Sequence, residues 1–333
     1  MPGLAIKLRE AKNSELLPPR LEGMWLVGVH GGTIYLASKI KEQEFQLFED
    51  IFIYGFSVGD NRIVGGIEIK KGSWPESWAQ KDDMLYIGTR SGHVVAVDLK
   101  TGKQIRQLKY RNGIDSIAVN NNVYFGVNGD GIHRASRRLA SKGHYVKGEE
   151  WKSKIDGKDC DRSSIPVTSA MTFFNGSLYA FCFSNGRDPF LGESPCGGLV
   201  EILDKDLQPL SERKLSPAAV CHAVSDEAGV YFATRDTRNG NFRFGEGEFY
   251  LLNPKTLEYK EIIRGLVAVS SLTNNPNQFI LGFQNGTVIG VDRRGHSETL
   301  YQSSLIDQTP TNGAAVIDGK VYIARPGKLV QVS

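Results

Sequence analysis

Apolar residues recur along this chain in short runs, divided by polar clusters rich in Gly, Asn and Asp. No stretch of useful length shows the 3.6-residue period of an amphipathic helix. One run returns seven times, usually with Tyr second: Ile34-Tyr35-Leu36-Ala37, Leu85-Tyr86-Ile87-Gly88, Val123-Tyr124-Phe125-Gly126 and Leu178-Tyr179-Ala180-Phe181. It continues as Val230-Tyr231-Phe232-Ala233, Phe279-Ile280-Leu281-Gly282 and Val321-Tyr322-Ile323-Ala324. The starts lie 38 to 55 residues apart, so seven units of about 48 residues account for all 333.

Each unit reads as four strands. Before the motif stand an apolar run and a tight turn, as in Thr172-Phe173-Phe174 then Asn175-Gly176, or Ala315-Val316-Ile317 then Asp318-Gly319. Asn-Gly and Asp-Gly between apolar runs signal hairpins, because both central residues of a type I′ turn need positive φ. After the motif come a second turn and a partly alternating strand, such as Gly92-His93-Val94-Val95-Ala96-Val97-Asp98, then a polar segment such as Lys103–Leu108. The inner strands are apolar on both faces, as they are when neighbouring sheets cover them; the outer one is polar because its edge meets water. This pattern predicts an all-β, single-domain, seven-bladed β-propeller of four-stranded antiparallel blades over residues 1–333. Only three strands are legible in the last unit. A strand within residues 1–10, Leu4–Leu8, is expected to complete that blade and close the ring. In the first unit, Phe52–Phe56 and Arg62–Ile69 each qualify as the outer strand.

The unit Leu85-Tyr86-Ile87-Gly88-Thr89-Arg90-Ser91-Gly92-His93-Val94-Val95-Ala96-Val97-Asp98-Leu99-Lys100-Thr101-Gly102-Lys103 resembles one blade of the WD40-like and quinoprotein-like (PQQ-repeat-like) propellers. The shared features are a glycine turn before a strand ending in Asp and a Thr-Gly-Lys turn after it. Residues 247–258 and 286–295 share the pattern in part. Ile105 stands where quinoprotein repeats usually place Trp, and no blade carries the Gly-His and Trp-Asp pair of WD40 repeats. The resemblance implies the fold and no quinone; no cofactor is expected.

Composition narrows the function. The net charge of +3, from 40 basic and 37 acidic residues, gives no general reason to expect nucleic acid or an anionic membrane. A basic flank of Arg134, Arg137, Arg138, Lys142, Lys147, Lys152 and Lys154 reads first as a solvated outer edge and second as a weak docking patch for an acidic protein or nucleic acid. No stretch approaches the roughly 18 apolar residues of a membrane helix, and the first residues do not read as a signal peptide. The expected address is the cytoplasm. The four cysteines, Cys160, Cys182, Cys196 and Cys221, lack zinc spacing and read first as free thiols, with a disulfide between two of them as the alternative.

Nucleophile motifs are absent. Asp156, Asp159 and Asp161 lack the order of a calcium loop, and the six histidines show no ligand spacing along the chain, so no metal residue is assigned. Gly126–Gly131 resembles a phosphate loop but opens no helix and reads as a hairpin turn. The features left are two long connections between second and third strands, Ser184–Gly197 and Arg235–Glu246, with the segment Lys152–Val167 expected on the same face. They carry Phe190, Phe242 and Phe244 beside Arg187, Arg235, Arg238 and Arg243, the composition of a protein-interface hot spot. The competing reading makes these phenylalanines local staples and the arginines partners of Asp188 and Asp236. Two functions follow: a non-catalytic interaction scaffold gripping a protein partner by this loop face, or a propeller enzyme or binder holding an anion over the central channel with Arg90, Arg187 and Arg235.

Overall fold

The computed structural model describes residues 9–11, 21–40, 50–69, 74–145, 167–188, 192–215, 219–235, 247–264, 267–303 and 309–332. They form seven four-stranded antiparallel sheets and, among the described residues, no helix. We number the sheets as blades in chain order: blade 1 at 21–69, blade 2 at 75–109, blade 3 at 114–145, blade 4 at 167–215, blade 5 at 219–264, blade 6 at 269–301 and blade 7 at 314–332. Within blades 1 to 6 the strands pair in chain order. Every repeated motif lies on a second strand, as the repeat predicts.

Two ambiguities of the sequence are resolved. In blade 1, Asp50–Ser57 is the third strand and Arg62–Ile69 the outer one. Blade 7 takes its fourth strand from the N-terminal part of the chain, as expected. That strand is Arg9–Ala11, just beyond the expected Leu4–Leu8, which lies outside the described residues. It pairs Arg9 with Gln331 and Ala11 with Leu329. The predicted turns also form: Asn175 and Gly176 have φ of 48° and 82°, and Asp318 and Gly319 have 50° and 75°.

By contacts the chain divides into two compact units, residues 74–98 with 103–269, and residues 1–73, 99–102 and 270–333. Inside each unit the apolar core is built from pairs of consecutive blades. Tyr86, Val94 and Ala96 of blade 2 pack with Ile114, Val123 and Phe125 of blade 3. Leu199 and Leu203 of blade 4 pack with Tyr124 and Ile132 of blade 3. In the other unit, Met24 and Leu36 of blade 1 pack with Tyr322 and Leu329 of blade 7.

The motif residues have specific tasks at these seams. The hydroxyl of Tyr35 donates to the Leu99 carbonyl at 2.7 Å, that of Tyr86 to Arg137 at 2.9 Å, and that of Tyr124 to Lys205 at 2.7 Å. In each case the acceptor lies in the turn before the outer strand of the next blade. A buried apolar ring with one satisfied polar end is what Tyr supplies and Phe does not. The motif glycine answers a second seam contact. Ser77 donates to the Ile114 carbonyl at 2.9 Å and Ser116 to the Thr168 carbonyl at 2.6 Å, each on the innermost strand of the next blade. A Cβ on Gly88 would lie 2.5 Å from the Ile114 side chain and 2.6 Å from Ser77 Oγ. Gly126 meets Ser116 and Thr168 in the same way.

Candidate functional site

Long connections between second and third strands were expected to carry the site, and the structure changes the character of the first. Residues Ser184–Asp188 and Gly192–Gly197 are not an open loop. They extend the strands Ser177–Asp188 and Gly192–Leu203 into a hairpin paired as far as Asp188 with Gly192. The described innermost strand, Val167–Phe174, begins at the partner of Phe183, so five residues of one arm and six of the other reach past it, roughly 16 Å at the rise of a strand. Pairing satisfies the backbone groups that a loop of this length would leave to water. Arg187 stands on this hairpin, opposite Glu193 in register. Phe190, at its tip, lies outside the described residues.

Arg235 is the last residue of the strand Val230–Arg235, between Ala219 and Gly247. Arg90 follows its own motif at the same offset, in the turn between the strands Met84–Thr89 and His93–Asp98, and is exposed. The backbone thus places Arg90, Arg187 and Arg235 at corresponding ends of blades 2, 4 and 5. Arg238, Phe242, Arg243 and Phe244, Asp156, Asp159 and Asp161, and most of Lys152–Val167 lie outside the described residues, so their grouping with these arginines stays an expectation.

The same ends of the innermost strands carry a feature that sequence reading missed. In each of blades 2 to 5 the register skips one residue near the start of that strand, at Glu76, Asp115, Ser169 and Cys221. A bulge leaves its extra residue out of the ladder and re-aims its side chain. Asp115 is the most perturbed: burial, aided by the nearby Glu76 carboxylate, pushes its carboxyl up to about 7, against the opposing pull of Asn128 and Arg90. Its Oδ2 is buried without a hydrogen-bond partner. Arg90 therefore already acts on a carboxyl group of the fold, that of Asp115. Cys221 Sγ lies 3.5 Å from the Val269 carbonyl, and Cys182 is buried. Cys160 lies outside the described residues.

Part of the basic flank is consumed by the fold. Arg134 is paired with Asp206 of blade 4, and Arg137 lies 2.9 Å from Asp82 of blade 2. The segment Gly126–Gly131 is the hairpin turn expected, with Gly129 and Gly131 at φ of 70° and 88°. This turn places Asp130 beside two histidines. His133 and His144 are direct cross-strand partners on Gly131–Ser136 and Ser141–Tyr145. No spacing along the chain could show that pairing, because it depends on strand register. Two clefts, of about 550 and 510 Å³, open at the other ends of the strands, around Asn175 and Asn253 and around Gly31 and Gly102.

No protein-family model matches the chain, and no curated protein matches it in sequence. Solved structures do match in fold. The Myceliophteria thermophila Cps50 (Swd1) beta-propeller domain is 11% identical, with 98% of this chain and 99% of that one covered at a TM-score of 0.65. A chain of the Mitotic Checkpoint Complex is 13% identical, covering 98% and 91% at 0.60. The computationally designed Ika8 protein is 13% identical, covering 93% and 96% at 0.54. Similarity at this level of identity establishes the fold, and the fold is a seven-bladed β-propeller.

Proposed function

We propose that this protein is an interaction module, a cytoplasmic scaffold that grips a protein partner at the ends of blades 4 and 5, around residues 185–196 and 235–246. The observation that carries the reading is the hairpin 177–203, whose arms of 12 residues are twice as long as the corresponding strands of blade 2. An extended pair of strands reaching past the rest of the described blade can offer both side chains and backbone to a partner. Phe190, Phe242 and Phe244 supply apolar anchors, and Arg187, Arg235, Arg238 and Arg243 supply charged contacts. One of the solved relatives in fold is itself a chain within a multi-protein complex, which is consistent with this use of a propeller.

The alternative, an anion held by Arg90, Arg187 and Arg235, ranks second because Arg90 already acts on the Asp115 carboxyl. The deciding experiment is a pull-down from the native source with wild type and with Phe242, Phe244 and Arg238 replaced by Ala. A stoichiometric partner that the triple variant loses, with its thermal unfolding unchanged, supports the module. A partner retained in full by the variant removes this face from consideration. A wild-type protein that captures nothing shifts the assignment to the anion reading.

A further inference from the structure

We infer that Asp130, His133 and His144 form a binding site for a divalent transition-metal ion of the zinc class, at the end of blade 3 that carries the turn 128–131. Three ligand atoms, one from each residue, lie within 4.8 Å of one another. His133 Nε2 is 3.1 Å from Asp130 Oδ2, and His144 Nε2 is 3.5 Å from Asp130 Oδ1. A tetrahedral zinc ion with bonds near 2.0 Å holds its ligand atoms about 3.3 Å apart, and each imidazole lies close to that distance from one of the two Asp130 carboxylate oxygens. Two imidazoles and a carboxylate suit zinc and its first-row neighbours far better than calcium or magnesium, which take oxygen.

The ligands come from elements that hold them in place. Phe125, His133 and His144 are consecutive cross-strand neighbours on the second, third and outer strands. The His133 ring lies 5.6 Å from Phe125 at 7° and 3.9 Å from His144 at 19°. Tyr110 packs on His133 at 4.7 Å. The aromatic wall buries His133 to 8% exposure, while the side chains of His144 and Asp130 stay 39% and 47% exposed. Three protein ligands with an open side leave a position for water or for a donor on a partner, as in zinc sites that are not purely structural.

His296 and Asp292 provide an internal control. They form an imidazole–carboxylate pair at 3.0 Å, on an exposed turn and with no second histidine in the group. The test is a titration of tag-free, chelator-treated full-length protein with Zn²⁺ against a chromophoric competitor. The expected result is one equivalent per chain, with the dissociation constant raised tenfold or more in Asp130→Asn and His144→Ala and unchanged in His296→Ala. Asp130→Asn keeps a hydrogen-bond acceptor for both rings, so it separates loss of metal from loss of fold even if His144→Ala unfolds. Zn²⁺ should also raise the melting temperature of wild type and leave that of Asp130→Asn unmoved. Absence of saturable binding to wild type overturns the site, as does binding that Asp130→Asn leaves intact or that His296→Ala weakens equally.

Discussion

Asp115 and His93 are oppositely perturbed, and the sign of each sets a measurable slope. The Asp115 carboxyl is raised from 3.8 to about 7, mainly by burial, so between those values the folded chain holds a proton that the unfolded chain has released. Its contribution is complete below about pH 4 and is lost as pH rises toward 7. His93 is lowered from 6.5 to about 4, again mainly by burial, with Lys109 adding repulsion. Its contribution is present above 6.5 and is lost as pH falls toward 4. Asp115→Asn removes only the first slope. At pH 8 it is expected to stabilise the protein by on the order of 1–2 kcal/mol, discounted from the full shift because the side chain is only partly buried. Denaturant unfolding at pH 4, 6 and 8 checks this, and a variant weaker than wild type at pH 8 would contradict the assignment. The motif residues belong to this scale too. Tyr35, Tyr86 and Tyr124 at the second position and Gly88 and Gly126 at the fourth each answer a contact of the following blade, a reason for those residues that a merely apolar run would not supply.

Strands cost the most where an edge is left open, and blade 7 handles its edge with a three-residue strand. Arg9–Ala11 pairs with Lys328–Val332, covering groups that would otherwise face solvent or another molecule. A chain beginning at residue 12 is therefore expected to melt several degrees lower and to self-associate, measured by thermal scanning and light scattering. An unchanged melting temperature with a monomeric profile would mean that this pairing adds nothing to stability. The hairpin 177–203 shows the opposite choice, with edges left outside the blade. It is the one described element that spends backbone pairing on reach, which fits an element kept for contact with something else.

Charge acts across the whole molecule. With a net charge of +3 and two arginines of the basic flank tied to Asp206 and Asp82, we expect no broad positive field for a phosphate backbone. Binding to a 20-base-pair duplex at 0.15 M salt is expected to be no tighter than roughly 10 µM, within the non-specific range. Fluorescence anisotropy measures it, and submicromolar affinity that survives 0.2 M salt would refute this reading.

The number of blades, the four-strand unit and the turn positions were legible in the chain because they rest on local rules: alternation, Asn-Gly and Asp-Gly turns, and a period near 48 residues. Each blade carries its own copy of those rules, so an error in one is outvoted by the rest. Where a unit departs from the pattern, local signals weaken. The outer strand of blade 1 stayed undecided because two polar-flanked runs competed, and the exact bounds of the closing strand, described at Arg9–Ala11, were weakly marked because edge pairing has little sequence preference. Tertiary structure alone decided what depends on register between strands or on packing between blades. The bulge that turns Asp115 out of its ladder, the Tyr hydroxyls meeting turns 51 to 81 residues away, and the meeting of His133 with His144 are of this kind. Their partners are distant or unremarkable along the chain, and only pairing brings them within bonding range.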